Sequence, residues 1–271
     1  MAERPDWVPE GVEITVPNAA RMYDYALGGY HNFAVDRDLV EQMEKISPGA
    51  SLVGRANRAF VGRVVRWLVA AGIRQFLDIG SGIPTLGNVH EVAQAVAPES
   101  RIVYVDIDPI AVAHSKAILA GNPLADVIHA DVRQPADILY HDTVTGLLDF
   151  GQPVAVLMNA VLHFVADEDD PAGIVAQVRE PLVRGSYVTI THGNPLGTAV
   201  GQQEDIEEVY QRTPTGVHLR TADQVAAMLA GMTIVEPGVV PVTEWHPDTA
   251  DPGDEEDPIP PAVLAAVAGQ P

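Results

Sequence analysis

Between Asn18 and about Ala71, apolar residues recur at intervals of three and four. That period predicts helices. The first opens after Asn18, a plausible N-cap, and runs through "AARMYDYAL" until Gly28 and Gly29 break it. A second starts near Asp36. A third spans roughly Leu52 to Ala71 and ends at Gly72. Before them, Pro5, Pro9 and Pro17 punctuate an irregular start.

After Gly72 the pattern changes. "RQFLDIG", "SRIVYVDID", "ADVIHADV", "QPVAVLMNAVLHF" and "GSYVTITHG" are continuous apolar, β-branched runs at wide spacing. Helical segments separate them: Asn88 to Val96, Pro109 to Ala120 and Pro171 to Val183. Strands buried on both faces and alternating with helices predict a mostly parallel α/β sheet with helices on both faces. Asp108 followed by Pro109 is a clean helix start. An acidic surface helix is expected over Gly201 to Arg212, and another from Thr221 to Gly231. "MTIVEPGVVPVTEW" reads as an edge hairpin around Glu-Pro-Gly. From Pro247 the chain is rich in Asp, Glu and Pro and reads as a mobile tail, with "PAVLAAVAG" as a short docking helix. The expected organisation is a helical cap over 1–72, a core over 73–247 and a tail over 248–271, with no internal repeat.

Composition narrows the function classes. The chain has no cysteine, which excludes thiol nucleophiles and thiolate metal sites. With neither a signal-like N-terminus nor a long apolar run, a soluble cytoplasmic protein without a membrane partner is expected. Net charge is −21, a sign that repels phosphate backbones, so nucleic acid is not an expected partner. Arg55, Arg58, Arg63, Arg66 and Arg74 form no single helical stripe and read as a solvated or ion-paired face. No spacing supports a metal site: His129, Asp131 and His141 are too irregular, and "DEDDP" reads as an acidic loop.

In open parallel sheets, ligands bind beyond the carboxyl ends of the strands. Those ends carry Asp78, Gly80, Ser81 and Gly82, then Asp106 and Asp108, then Asp131, then Asn159, Ala160 and His163, then Thr191, His192 and Asn194. The glycine turn allows close approach of backbone to ligand. A carboxylate ending the second strand can accept from two ribose hydroxyls, and Asp131 from an exocyclic amine. A dinucleotide fingerprint would place a third glycine where Thr85 stands. The set suits an adenosine without a pyrophosphate, joined to a positively charged group, since the turn is acidic and nothing near it is basic. S-adenosylmethionine has that make-up.

These residues lie in segments that resemble a bacterial family of S-adenosylmethionine-dependent methyltransferases, long classed as a domain of unknown function. The segments include "PNAARMYDYALGGYHNFAVDRDLVE", "RANRAFVGRVVRWL", "IRQFLDIGSGIPTLGNVHEVAQAVAPESRIVYVDIDPIAVAHSKAILA", "ADVRQP", "AVLHFVADEDDPAGIV" and "IVEPGVVPV", and the likeness covers roughly residues 12 to 247. It implies a Rossmann-like class I methyltransferase fold, with a seven-stranded sheet whose last strand is antiparallel. It also implies S-adenosylmethionine as cofactor, with Asp78, Gly80, Ser81 and Gly82 along the methionine part. Asp106 and Ile107 would hold the ribose, Asp131 and Val132 the adenine edge, and Asn159 and Ala160 the sulfonium side. Ser81 stands where many relatives carry Thr, and Asn159 where many are aliphatic. The family supplies no acceptor.

Methyl transfer needs alignment more than acid–base help. If a hydroxyl is the acceptor, His163 is the leading base, ahead of His192 and His31, while His90 could orient the glycine loop. The aromatic segment "RMYDYALGGYHNF" is expected to form a lid, with Arg21, Tyr23, Gly28, Gly29 and Asn32 facing cofactor and acceptor. A small-molecule methyltransferase of open oligomeric state is the leading reading. A non-catalytic S-adenosylmethionine-binding partner protein and an NAD-dependent dehydrogenase are the alternatives.

Overall fold

The computed structural model describes residues 13–84, 87–197, 202–248 and 259–271. Thr85, Gly201, the start of the chain through residue 12 and the acidic stretch 249–258 lie outside them. In chain order the elements are α1 (Ala19–Ala26), α2 (Ala34–Ile46), α3 (Ala50–Ala70), β1 (Gln75–Ile79), α4 (Val89–Val96), β2 (Arg101–Asp106), α5 (Pro109–Ile118), β3 (Ala125–His129) and α6 (Pro135–Leu139). They continue with α7 (Asp142–Leu147), β4 (Ala155–Asn159), α8 (Pro171–Arg179), β5 (Tyr187–Gly193), α9 (Gln202–Tyr210), α10 (Ala222–Met228), β6 (Thr233–Ile234), β7 (Val240–Pro241) and β8 (Val263–Gly269).

The expected helix starts follow from capping. Asn18 Oδ1 accepts from the Ala20 N–H at 2.8 Å, and Asp108 Oδ1 from the Ile110 N–H at 2.8 Å. Thr221 and Gln224 form a capping box. The start near Asp36 falls at Ala34 instead. Asp36 is the third helical residue, and its Oδ2 reaches back to the Phe33 N–H at 2.8 Å.

The strand order is β3-β2-β1-β4-β5-β8-β6, with β7 also paired to β8. β1 to β5 are parallel, and β8 runs antiparallel to β5. Strand alternation divides the core. Phe76, Ile102 and Leu157 face Phe60, Val64 and Leu68 of α3. Leu77, Val103 and Met158 face Ile174 and Val178 of α8 and Val225 of α10. Strand order reverses between β1 and β4, so a crevice opens beyond their carboxyl ends.

Four expectations fail at the C-terminal end. "PAVLAAVAG" is not a helix: Val263–Gly269 is a strand inserted between β5 and the β6/β7 pair, buried from Leu264 to Ala268. Alanine favours helix by propensity, but small residues also fit a strand covered on both faces, and tertiary burial decides. The mobile tail therefore does not extend over residues 263–269, which lie inside the sheet. Nor do the strands of "TIVEPGVVPV" pair with each other; each pairs with β8. The sheet accordingly has eight strands rather than seven.

Of the arginines expected to be solvated or ion-paired, Arg55 is exposed, Arg66 pairs with Asp248 and Arg74 with Glu99, but Arg63 departs from that reading. Arg63 is buried and donates to the carbonyls of Trp245 and Val242. Trp245 is fully buried, edge-on to Phe60 and Trp67 at 5.4 and 5.8 Å. No described helix is long and apolar enough to cross a membrane.

Candidate functional site

A cavity of about 610 Å³ lies over the strand tips, roofed by α1, α2, α3 and α9. Its floor begins where β1 ends. The N–H groups of Gly80 and Ser81 both donate to Val105 O, at 2.8 and 3.1 Å, which folds the turn back over β2. Gly80 and Gly82 have φ of 78° and 67°, where side chains are strained. A Cβ on Gly80 would stand 2.6 Å from the Val161 side chain, whereas one on Gly82 would meet nothing within 4 Å. Packing alone therefore requires Gly80, and Gly82 leaves its side of the turn open.

Asp106 closes the turn from β2. Its Oδ2 accepts from the Gly82 N–H at 2.7 Å and its Oδ1 from the Asp108 N–H at 2.8 Å. Each carboxylate oxygen keeps a second lone pair for a ligand hydroxyl. Burial pushes the Asp106 carboxyl up to about 6 against these hydrogen bonds. Asp78, on the same sheet face, is pushed up to about 7 by burial; the Arg58 guanidinium opposes the rise and Asp106 adds to it. Asp131 differs. Burial raises its carboxyl, but Arg133 outweighs burial through bonds at 2.6 to 3.0 Å and holds it below the usual range.

Asn159 ends β4, with Oδ1 accepting from Thr189 Oγ1 at 3.0 Å and a buried Nδ2 that has no partner among the described residues. Ala160 follows at φ 56°, a left-handed conformation rare outside glycine. His163 rides on a short 3₁₀ turn, Leu162–Phe164. Its Nδ1 accepts from the Gly193 N–H at 3.4 Å, so the ring proton sits on Nε2. Burial first, then His192 and Arg220, press its pKa well below the ordinary value. Arg220 anchors this turn by donating to Leu162 O, Val165 O and Asp167, and it donates to His192 Nε2 at 3.1 Å. His192 is fully buried with its pKa depressed to about 4 by burial, and it does not line the cavity.

Of the expected strand-tip residues, Asp78, Gly80, Ser81, Gly82, Asp106, Ile107, Asp108, Asp131, Val132, Asn159, Ala160 and His163 line the cavity, whereas Thr191, His192 and Asn194 at the end of β5 do not. The lid is different. Arg21 and Tyr23 line the cavity, but Gly28, Gly29 and Asn32 do not. The two glycines terminate α1 instead. The Gly28 N–H donates to Tyr25 O and the Gly29 N–H to Asp24 O, a Schellman cap, with Gly28 at φ 82°. A Cβ on Gly29 would stand 2.0 Å from Asp24 Oδ1. Asn32 donates to Asp24 Oδ2 at 2.9 Å, and Tyr30 is 89% exposed on the surface. Arg21 donates to Glu13 O and Val16 O and pairs with Asp36 at 3.3 Å.

Sequence reading missed Arg58 and Asn57, both on the cavity wall. The expectation that nothing basic stands near the turn fails at Arg58. Their signal was present in "RANRAF", but helical spacing alone gave no reason to aim them at the sheet.

The donor set fits S-adenosylmethionine. The cavity wall offers carboxylates suited to hydroxyls and amines, the Arg58 cation suited to a carboxylate, and Asn159 Nδ2 as a buried donor without a partner among the described residues. It does not fit a pyrophosphate. Glu91 places a carboxylate at the start of α4, where it accepts from the Asn88 N–H at 2.8 Å, and that charge repels phosphate. Among the described residues no cluster of three or more His, Asp or Glu could hold a metal ion.

Comparison with known proteins agrees. The family model described as S-adenosyl methyltransferase matches residues 5–271. A DUF574-family protein from Streptomyces avermitilis is 40% identical, with 95% of this chain and 99% of that one covered at a TM-score of 0.90. A crystallised candidate methyltransferase from Thermobifida fusca is 36% identical, with 98% and 99% covered at 0.91. Human N-acetylserotonin methyltransferase, 14% identical with 92% of this chain and 62% of that one covered at a TM-score of 0.50, shares the fold. Among proteins of curated function, none matches the chain. The chain belongs to the S-adenosyl methyltransferase family and is a methyltransferase whose cofactor is S-adenosylmethionine.

Proposed function

We propose that the cavity holds the cofactor along the strand tips and a small-molecule methyl acceptor beneath the helical cap. The observation that carries this is the continuity of one cavity from Asp78, Asp106 and Asp131 to Tyr23, Met43 and Tyr210. Bound S-adenosylmethionine supplies an electrophilic methyl on its sulfonium. Asp106, with Ile107 beside it, accepts the ribose hydroxyls. Asp131 and Val132 flank the adenine. Gly80 to Gly82 lie along the methionine part, whose ammonium and carboxylate face Asp78 and Arg58. Asn159 and Ala160 stand on the sulfonium side.

The chain accelerates transfer by alignment and by excluding water, rather than by moving a proton at His163. A ring held neutral far below its ordinary pKa, with Nδ1 already engaged, is a weak base. The charge of −21 supports an acceptor that is not a nucleic acid.

Calorimetry with S-adenosylhomocysteine tests the cofactor half. Binding by the native chain and its loss in Asp106→Ala are expected; equal binding by the two sinks the assignment. Transfer of label from S-adenosylmethionine to a small-metabolite extract tests the acceptor half. Binding without transfer to any fraction favours a non-catalytic role.

A further inference from the structure

The acceptor end of the cavity carries two polar atoms without protein partners. His163, Phe164 and Tyr210 all line it. The Phe164 ring stands 4.3 Å from the His163 ring and 5.9 Å from the Tyr210 ring. Tyr210 is held by its ring against the apolar cluster of Met22, Leu39, Val40 and Val209, which joins α9 to α1 and α2. Its hydroxyl makes no hydrogen bond among the described residues, and burial raises its pKa, so it keeps its proton.

His163 is equally defined. Because Nδ1 accepts from Gly193, Nε2 bears the hydrogen, and Nε2 has no partner among the described residues. Arg220 fixes the backbone on either side of this ring. The Phe164 ring thus neighbours both the His163 ring, which carries an N–H, and the Tyr210 ring, which carries an O–H, and all three line the cavity. Met22, Val40 and Met43 supply the apolar roof.

We propose that His163 Nε2–H and Tyr210 O–H form a donor pair that recognises a hydrogen-bond-accepting oxygen on an uncharged, planar, largely apolar methyl acceptor stacked against Phe164. The proposal rests on the two-ligand reading of the cavity. An apolar body satisfies the roof and the Phe164 face. A carbonyl-type or ether-type oxygen satisfies two donors that would otherwise be buried unpaired beneath it. A carboxylate at this oxygen is disfavoured, because the donor pair carries no charge to offset its burial.

The test uses three bicyclic probes of matched size: 1-indanone, which accepts, indane, which does neither, and indole, which donates. Each is titrated into the native chain with and without saturating S-adenosylhomocysteine, after the affinity for that molecule has been measured alone. A failure of the cofactor reading is then visible separately. 1-Indanone is expected to bind roughly tenfold more tightly than indane, the equivalent of one or two net hydrogen bonds, and more tightly than indole. Tyr210→Phe and His163→Leu should each shrink the preference while leaving indane unchanged. Equal binding of indanone and indane, no binding of either, or a preference that survives the double variant overturns the proposal. So does a preference for indole, which would mark the pair as an acceptor rather than a donor. Nitrogen NMR of the His163 ring reads the same point without any ligand: a protonated Nε2 is expected, and a protonated Nδ1 contradicts it.

Discussion

Two regions of this molecule look alike in sequence and behave as opposites. The strand tips and the segment from Asp24 to Asp36 both combine glycines with carboxylates and an asparagine. At the tips, groups are left over: Asp78 and Asp106 sit above the ordinary carboxylate range, and Asn159 Nδ2 has no partner. Between Asp24 and Asp36 the hydrogen bonds run mostly within the segment, with Asp24 Oδ1 left buried without a partner among the described residues. Asp24 Oδ2 accepts from the His31 N–H and from Asn32, and Asp36 accepts from the Asn18 and Phe33 N–H groups while pairing with Arg21. Whether a leftover group lines the cavity, as Asn159 does and Asp24 does not, rather than motif density, separates a binding surface from a structural knot.

Substitutions on either side can break this comparison. Asp106→Ala removes the acceptor of two ligand hydroxyls and should cost about 1.5–3 kcal/mol in cofactor affinity for each, read by calorimetry. Asp36→Ala leaves Arg21 buried beside an empty site. It should cost about 3–5 kcal/mol of folding stability in denaturant titration, while folded protein keeps its affinity for S-adenosylhomocysteine. If Asp36→Ala lowers affinity as much as Asp106→Ala does, the knot belongs to the site.

A pH series sharpens the same contrast. Both tip carboxyls are raised above their unfolded value, so the stability they contribute is present at low pH and fades as pH rises through about 6 and about 7. Ligand groups that donate hydrogen bonds favour the ionised forms. Affinity for S-adenosylhomocysteine should therefore climb by about tenfold or more from pH 5 to pH 8, and Asp106→Ala should flatten the rise. An affinity independent of pH in this window would mean that neither carboxylate meets the ligand.

The smallest effect is expected at Gly28. An alanine there is strained by its left-handed backbone, at a cost of about 1 kcal/mol of stability. No change in ligand affinity should accompany it.

Much of the fold was legible because its signals are local and redundant. Buried β-branched runs, Asn18 and Asp108 as caps, and aspartates at the strand ends each state their role within a few residues. The tips of parallel strands converge by topology, so placing Asp78, Asp106 and Asp131 together required only the strand order. What failed depended on distant partners. The alanine-rich β8 is a strand because β5 and β7 flank it, and nothing in "VLAAVAG" says so. Gly29 looks like a hinge until Asp24 Oδ1 is seen to occupy the place of its side chain. Arg58 belongs to the site only because α3 crosses the end of β1.

Hydrogen exchange with and without S-adenosylhomocysteine tests the central contrast most directly, since it reads both regions in one experiment. Protection should rise at Gly80 to Gly82, around Asp106 to Asp108 and from Asn159 to His163, while the amides from Gly28 to Phe33 stay unchanged. Protection that rises from Gly28 to Phe33 and stays flat at Gly80 to Gly82 would contradict it.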